Sequence, residues 1–244
     1  MTRVNHASFL DRGIAGERAI PSSQRVVIVG ATGMIGGNAL RYALENSAIE
    51  RVTAIGRRKL GLSHPKLREV LHSDYADCTA LAEALSAQDA AVFCLGTYTG
   101  VVTDAQLRSI TVSYMVEFAR VLRSRSPNAA FLFLSGCGAD STARGPMSFE
   151  RYKGEAENAL FAARFPRVYV FRPAYIFPVK AQKEPNFSYR LLRAIYPAFR
   201  VVCRNQAIRA DVLARVMVDC AVRGVGRARR RRLRKRGIRA TSNV

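Results

Sequence analysis

Apolar and polar positions along this chain fall into alternating blocks. Val26 to Val29 is an unbroken run of β-formers, as expected of a strand covered on both faces. Three glycines follow at fixed spacing: Gly30, Gly33 and Gly36. Ala39, Leu40, Ala43 and Leu44 then recur at helical intervals, and Asn46-Ser47 closes that helix. Val52 to Ile55 predicts a second strand. Strand, glycine turn, helix and strand form one βαβ unit, and its right-handed crossover makes the two strands parallel.

The alternation continues. Arg68 to Leu71 predicts a short third strand, Cys78 to Ser86 a short helix with Leu81 and Leu85 inward, and Ala90 to Leu95 a fourth, buried strand. Thr103-x-x-Gln106 is a capping-box signature. It opens a helix to about Arg123, with Leu107, Ile110, Tyr114, Phe118 and Val121 on one stripe, where Tyr114 reads as core. Ser126-Pro127-Asn128 breaks that helix. Ala129 to Leu134 and Val168 to Phe171 predict the fifth and sixth strands. Asp211 is placed to cap a last helix carrying Val212, Val216 and Cys220.

Strands that are nearly continuous apolar runs, alternating with helices, specify an α/β chain with a doubly wound parallel sheet, the Rossmann arrangement. Three parts follow: a loose N-terminal arm over 1–23, the Rossmann domain over 24–225, and a basic, disordered tail over 226–244. The segment 185–222 forms a small C-terminal region on the substrate side. Its aromatics (Phe187, Tyr189, Tyr196, Phe199) interleave with Arg190, Arg193 and Arg200. A lid, a homodimer contact and a membrane-surface helix all fit. A capping helix with snorkelling arginines is the preferred reading.

The glycines carry the first chemistry. A tight turn needs residues free to take positive φ, and a diphosphate can approach backbone only where no Cβ intervenes. The N–H groups opening the helix at Met34, Ile35 and Gly36, with Thr32 in the turn and the helix dipole, then hold the anion. The spacing is G-x-x-G-x-x-G rather than G-x-G-x-x-G, but it follows a strand and opens a helix, which is the required context. The plainer alternative is a glycine-rich turn with no ligand.

The second strand ends in Gly56-Arg57-Arg58-Lys59. A site for NAD usually places Asp or Glu here, to bind the ribose 2′-OH. A guanidinium instead matches a 2′-phosphate, so Arg57 and Arg58 predict NADP(H) as cofactor. A solvated basic loop is the alternative. In a parallel sheet, ligands lie beyond the C-terminal strand ends. Leu95, Gly96 and Thr97 are therefore expected beside the ribose and nicotinamide.

GATGMIGG followed by IGRRKL resembles the atypical short-chain dehydrogenases/reductases, particularly the Tat-interacting-protein-like oxidoreductases. The likeness continues through FCLGT (Phe93 to Thr97), FLSGCGAD (Phe131 to Asp140), KGEAE (Lys153 to Glu157) and FRP (Phe171 to Pro173). The resemblance implies that Asp74 contacts adenine, although the same carboxylate can simply cap the next turn. It also implies that backbone near Pro173 lies by the nicotinamide.

Reductases of this superfamily share a Tyr-x-x-x-Lys pair and a Ser. Reducing a carbonyl leaves an alkoxide that must gain a proton. A tyrosine gives it, and a lysine one helical turn on lowers the phenol's pKa and holds the ribose. The resemblance assigns Lys153 to the lysine and Ser135 to the serine. Four residues before Lys153, however, stands Phe149, which has no proton to give. Tyr152 is a neighbour of Lys153, about 100° around the helix, and falls in register with Ala156, Ala159 and Ala163, a core stripe. Tyr152, Tyr98 and water are the remaining acids. The expected function is an NADP(H)-dependent oxidoreductase acting on a carbonyl or quinone-like small molecule. The alternative is a catalytically degenerate NADP(H)-binding sensor or scaffold.

Composition narrows the setting. With 244 residues and 49% apolar side chains, one domain has ample core. No apolar run approaches the ~18 residues of a membrane span, and the N-terminus lacks the apolar core of a signal peptide. Five scattered cysteines and three histidines show no metal or disulfide spacing, which suggests a reducing, cytoplasmic protein with no metal. The net charge is +21, and the segment 227–239 alone holds nine basic residues and no acid. Such a tail could bind nucleic acid or an anionic membrane. A solvated tail is preferred.

Overall fold

A computed structural model of the protein describes residues 23–97, 100–178, 207–223 and 230–233. Its centre is a parallel seven-stranded sheet. The strands are β1 (Gln24–Val29), β2 (Ile49–Gly56), β3 (Leu67–Leu71), β4 (Ala90–Phe93), β5 (Ala130–Leu134), β6 (Arg167–Phe171) and β9 (Arg230–Leu233). Their spatial order is β3-β2-β1-β4-β5-β6-β9. A second, two-stranded sheet pairs β7 (Tyr175–Phe177) with β8 (Ala207–Arg209), also in parallel.

Among the described residues, five α-helices accompany the strands: α1 (Met34–Glu45), α2 (Asp104–Arg108), α3 (Tyr114–Arg125), α4 (Ser148–Ala162) and α5 (Ala210–Arg223). The period-2 alternation of a strand separates two cores. Val26 and Ile28 of β1 face α1 and α5, with Ala39, Leu40, Leu213 and Met217. Val27 and Val29 face the opposite layer, with Phe118, Leu122, Ala156 and Leu160 of α3 and α4. This is why the central strands are apolar without interruption: both of their faces are buried.

The order reverses at β1, which lies between β2 and β4. A crevice opens there beyond the C-terminal ends of the strands, the place where open α/β sheets bind ligands.

The structure differs from the sequence reading in four places. Cys78 to Ser86 forms only a 3-10 turn, Thr79–Leu81, followed by turns. Asp77 ties up the N–H and hydroxyl of Thr79, a local competitor of the helix. The helix expected from Thr103 is broken into α2 and α3 by a π-turn at Ser109–Ser113, although its capping box forms as read. In α5 the buried face is Leu213, Val216, Met217 and Cys220, whereas Val212 is exposed. Asp211 sits inside the first turn, binding Arg209 and the Val212 N–H rather than capping from outside. Finally, Arg230–Leu233, within the tail expected to be disordered, pairs with β6 as the edge strand. Pairing at an edge needs only backbone groups, and charged residues suit edges. The arm over 1–22 and the segment 179–206 lie outside the described residues.

Candidate active site

The glycine turn between β1 and α1 is shaped by close backbone approach. Gly30 has φ +84°, and a Cβ there would lie 2.9 Å from the Cys94 carbonyl group. A Cβ on Gly36 would collide with the Gly30 carbonyl. The Gly33 N–H donates to that carbonyl at 2.9 Å and closes the turn. Gly33 is also the N-cap of α1, and no side chain caps the helix. No acidic residue stands in its first turn. The helix therefore presents its opening N–H groups and its positive dipole end to a ligand.

Those groups border a cleft of about 1090 Å³. Thr32, Gly33, Met34 and Ile35 form one wall, and Leu95, Gly96 and Thr97 after β4 form the next. Space is open where a Cβ on Gly96 would project. Leu134, Ser135 and Gly136 after β5, Phe149 and Lys153 of α4, and Pro173 and Tyr175 complete the cleft. Two backbone bonds hold this floor together: the N–H of Ser135 donates to Phe171 O, and that of Cys137 to Pro173 O, each at 2.8 Å. A dinucleotide fits this cradle by chemistry. Its diphosphate finds uncapped N–H groups, and its far end reaches Lys153 and Ser135.

Lys153 is buried in the cleft wall. Its ammonium donates to the Leu134 carbonyl at 3.0 Å and sits 4.9 Å from the centre of the Phe133 ring. Burial pushes the amine down to about 8, and Glu157 and Cys94 partly oppose that. Burial in turn pushes the Cys94 thiol up to about 12, against the pull of Lys153. Lys153 is delivered there by its neighbour in sequence: a side chain on Gly154 would collide with the Asp140 carbonyl, so glycine lets α4 close on the loop after β5.

Ser135 donates its hydroxyl to Glu157 Oε1 at 2.6 Å. Arg172 binds the same carboxylate with Nε to Oε1 at 2.8 Å and Nη2 to Oε2 at 2.6 Å. Glu157 is fully buried and Arg172 nearly so. A carboxylate held by a guanidinium is an acceptor only. The Ser135 proton is therefore committed inward, and its lone pairs are left for the cleft.

Phe149 packs its ring onto Gly136, where a Cβ would lie 2.5 Å from Phe149 Cζ. The place one turn before Lys153 is thus filled by a ring without a hydroxyl. Tyr152 does not replace it. Its ring packs against the core under α4 and does not line the cleft, and its hydroxyl donates to Asp104, a carboxylate on the cleft rim. That hydrogen bond raises the Tyr152 phenol above its ordinary value, the opposite of what an acid–base tyrosine needs. The expectation of Tyr152 as the catalytic acid is corrected on this geometry. Tyr98 lies outside the described residues.

At the adenosine end, Arg58 lines a small hollow with Thr32, Gly56 and Glu69 and donates to Thr32 Oγ1 at 3.4 Å. The Glu69 carboxylate accepts from the Leu60 N–H at 2.6 Å. Arg57, Arg58 and Lys59 are exposed. Among the described residues no carboxylate forms an ion pair with them. Asp74 is also exposed and accepts from the Ala76 N–H at 3.0 Å, the turn-capping role. It does not line the cleft.

Four cleft features escape the sequence reading. Asp104 and Tyr175 line the cleft, and Glu157 and Arg172 brace it from behind. Glu157 and Arg172 lie inside the KGEAE and FRP motifs, but their pairing across fifteen positions leaves no sequence signal. Among the described residues, no group of three or more His, Cys, Asp or Glu side chains is placed to hold a metal ion. No helix there is long and apolar enough to cross a membrane.

A parallel sheet reversing at β1, a glycine turn opening a helix, and a buried lysine across the cleft define a nicotinamide-dinucleotide-binding Rossmann protein. The chain belongs to the NAD dependent epimerase/dehydratase family, whose profile matches residues 26–152. It is similar to "Protein fmp52, mitochondrial" of Aspergillus niger, 25% identical, covering 82% of this chain and 88% of that one. It is likewise similar to HTATIP2 of Rattus norvegicus, 27% identical over 67% of each chain, in keeping with the Tat-interacting-protein-like motifs. Among solved structures, the fold resembles Bordetella bronchiseptica WbmH in complex with NAD+. The TM-score is 0.64 at 17% identity, covering 86% of this chain and 75% of that one.

The cytoplasmic placement expected from the cysteines is corrected by these comparisons, because several fungal relatives are named mitochondrial. Cysteines without disulfide spacing in the sequence suggest a reducing environment and do not identify which compartment supplies it.

Proposed function

We propose that this protein is an NADP(H)-dependent oxidoreductase acting on a small carbonyl or quinone-like molecule. One observation carries the reading: the uncapped N terminus of α1 and the Lys153–Ser135 pair open onto the same cleft. Thr32, Gly33, Met34 and Ile35 would hold the diphosphate, Leu95 to Thr97 the ribose side, and Lys153 the nicotinamide ribose. Arg57 and Arg58 would take the 2′-phosphate, because two guanidinium groups without an ion-pair partner among the described residues suit a dianion. When bound, the cofactor supplies the reducing equivalent. Ser135 would accept from a donor group of the substrate or ribose, and Phe149, Leu134 and Met147 give that side of the cleft an apolar lining.

NADPH oxidation with a panel of aldehydes, ketones and quinones tests this. Turnover above background that disappears in Lys153→Ala supports the enzyme.

Phe149 favours a second reading, a sensor whose NADP(H)-bound state is read by a partner. Saturable NADPH binding with no turnover across the whole panel would support it instead.

A further inference from the structure

We propose that the Lys153 ammonium itself protonates the substrate oxygen, in place of the absent phenol. This rests on the oxidoreductase reading above and adds the identity of its acid.

The case begins with where the other protons are. Phe149 has none, and its ring covers Gly136. Tyr152 does not line the cleft and has committed its proton to the Asp104 carboxylate. Ser135 gives its proton to Glu157, whose charge is fixed by two hydrogen bonds from Arg172. Lys153 is the one cation among the described residues that line the cleft. An ammonium has three protons, and the structure spends one, on the Leu134 carbonyl at 3.0 Å. Two remain for the cleft, enough for a ribose hydroxyl and a substrate oxygen together.

The surroundings also make that proton transferable. The groups facing Lys153 are Glu157 one turn on along α4, the Cys94 thiol just after β4 and the Leu134 carbonyl at the end of β5, with the Ser135 hydroxyl held on Glu157. Arg172 at the end of β6 stands behind Glu157. Glu157 is shared with Arg172 and Ser135, and its charge only partly offsets the effect of burial on the ammonium. Burial lowers the amine to about 8, close to a working pH, where general acids are most effective. The balance is simple. With a bound cofactor supplying hydride (a proton and two electrons) to the carbonyl carbon, the alkoxide oxygen would take its proton from Lys153, and the neutral amine would regain one from solvent.

Tyr175 also lines the cleft and is the rival acid. The experiment uses the full chain with NADPH and para-nitrobenzaldehyde. Binding comes first: no heat with NADPH overturns the cofactor reading itself, independently of which group is the acid. With binding established, Lys153→Arg keeps a charge but cannot release a proton near neutrality. Its expected result is NADPH affinity within a few-fold and turnover down about 10²-fold or more. Turnover of the unmodified protein should be level below about pH 7 and fall above about 8. Small amines should restore Lys153→Ala in order of their basicity. An active Lys153→Arg, or loss of turnover in Tyr175→Phe alone, overturns the proposal.

If no substrate turns over, lysines reductively methylated with carbon-13 are titrated by NMR, with Lys153 assigned by its absence in Lys153→Arg. Loss of charge near pH 8 is expected, and titration near the ordinary lysine value of about 10.4 overturns it.

Discussion

Arg172 grips Glu157 through two parallel hydrogen bonds of 2.8 and 2.6 Å beneath the cleft, and the same carboxylate holds Ser135. The pair joins the end of β6 to α4, the helix that carries Lys153. Removing one partner strands the other charge in a site of very low exposure. Glu157→Ala should destabilise the fold by about 3–5 kcal/mol, read by urea unfolding. The double change Glu157→Leu with Arg172→Met should cost less than Glu157→Ala, because the guanidinium is not left buried without its carboxylate. A double variant that costs as much as the sum of its parts would mean the two side chains act independently.

The glycine turn makes a second prediction. Gly36→Ala puts a methyl against the Gly30 carbonyl, so either the turn opens or α1 shifts. Overpacking of this kind costs about 1–3 kcal/mol. Dinucleotide affinity should fall about tenfold or more, since the helix N–H groups no longer converge. Calorimetry on the variant checks it. Unchanged affinity would show that the turn does not hold the diphosphate.

Phe149→Tyr restores a phenol one turn before Lys153. The ring tip already occupies the space that the absent Cβ of Gly136 leaves, so the added hydroxyl must project past it. Turnover should rise, by up to about 10²-fold. If the added hydroxyl leaves turnover where it was, the missing phenol does not limit the reaction.

Lys153 also links stability to pH. Its folded value is lowered to about 8 from 10.5. Below about 8 both folded and unfolded chains carry the charge, and the fold bears the cost of burying it. Between about 8 and 10.5 the unfolded chain binds more protons, so stability rises with pH across that window. Lys153→Met should therefore raise stability at pH 7 by about 1–3 kcal/mol. The gain should vanish above about pH 11, and activity should be lost throughout. Unfolding curves at several pH values measure it, and a destabilised Lys153→Met at pH 7 contradicts it.

These residues also show what a sequence makes legible. The β1 run, the glycine triplet and the Ala39–Leu44 stripe were readable because each depends on local geometry: a buried strand, a turn without Cβ, a helical period. The Thr103–Gln106 capping box was readable for the same reason. Contacts between distant positions were not. Nothing in the local pattern says that Tyr152 meets Asp104, that Ser135 gives its proton to Glu157, or that Tyr175 borders the cleft. Arg230–Leu233 was missed because a charged run suggests solvation, whereas strand pairing uses the backbone.

The central claim is that the cleft holds a nicotinamide dinucleotide and that Arg57 and Arg58 receive its 2′-phosphate. Titration calorimetry of the full chain with NADPH and with NADH tests it most directly. The account predicts saturable binding with NADPH preferred about tenfold or more. Replacing both arginines by alanine should erase that preference while NADH still binds. No heat with either nucleotide, or a preference that survives the double replacement, would contradict it.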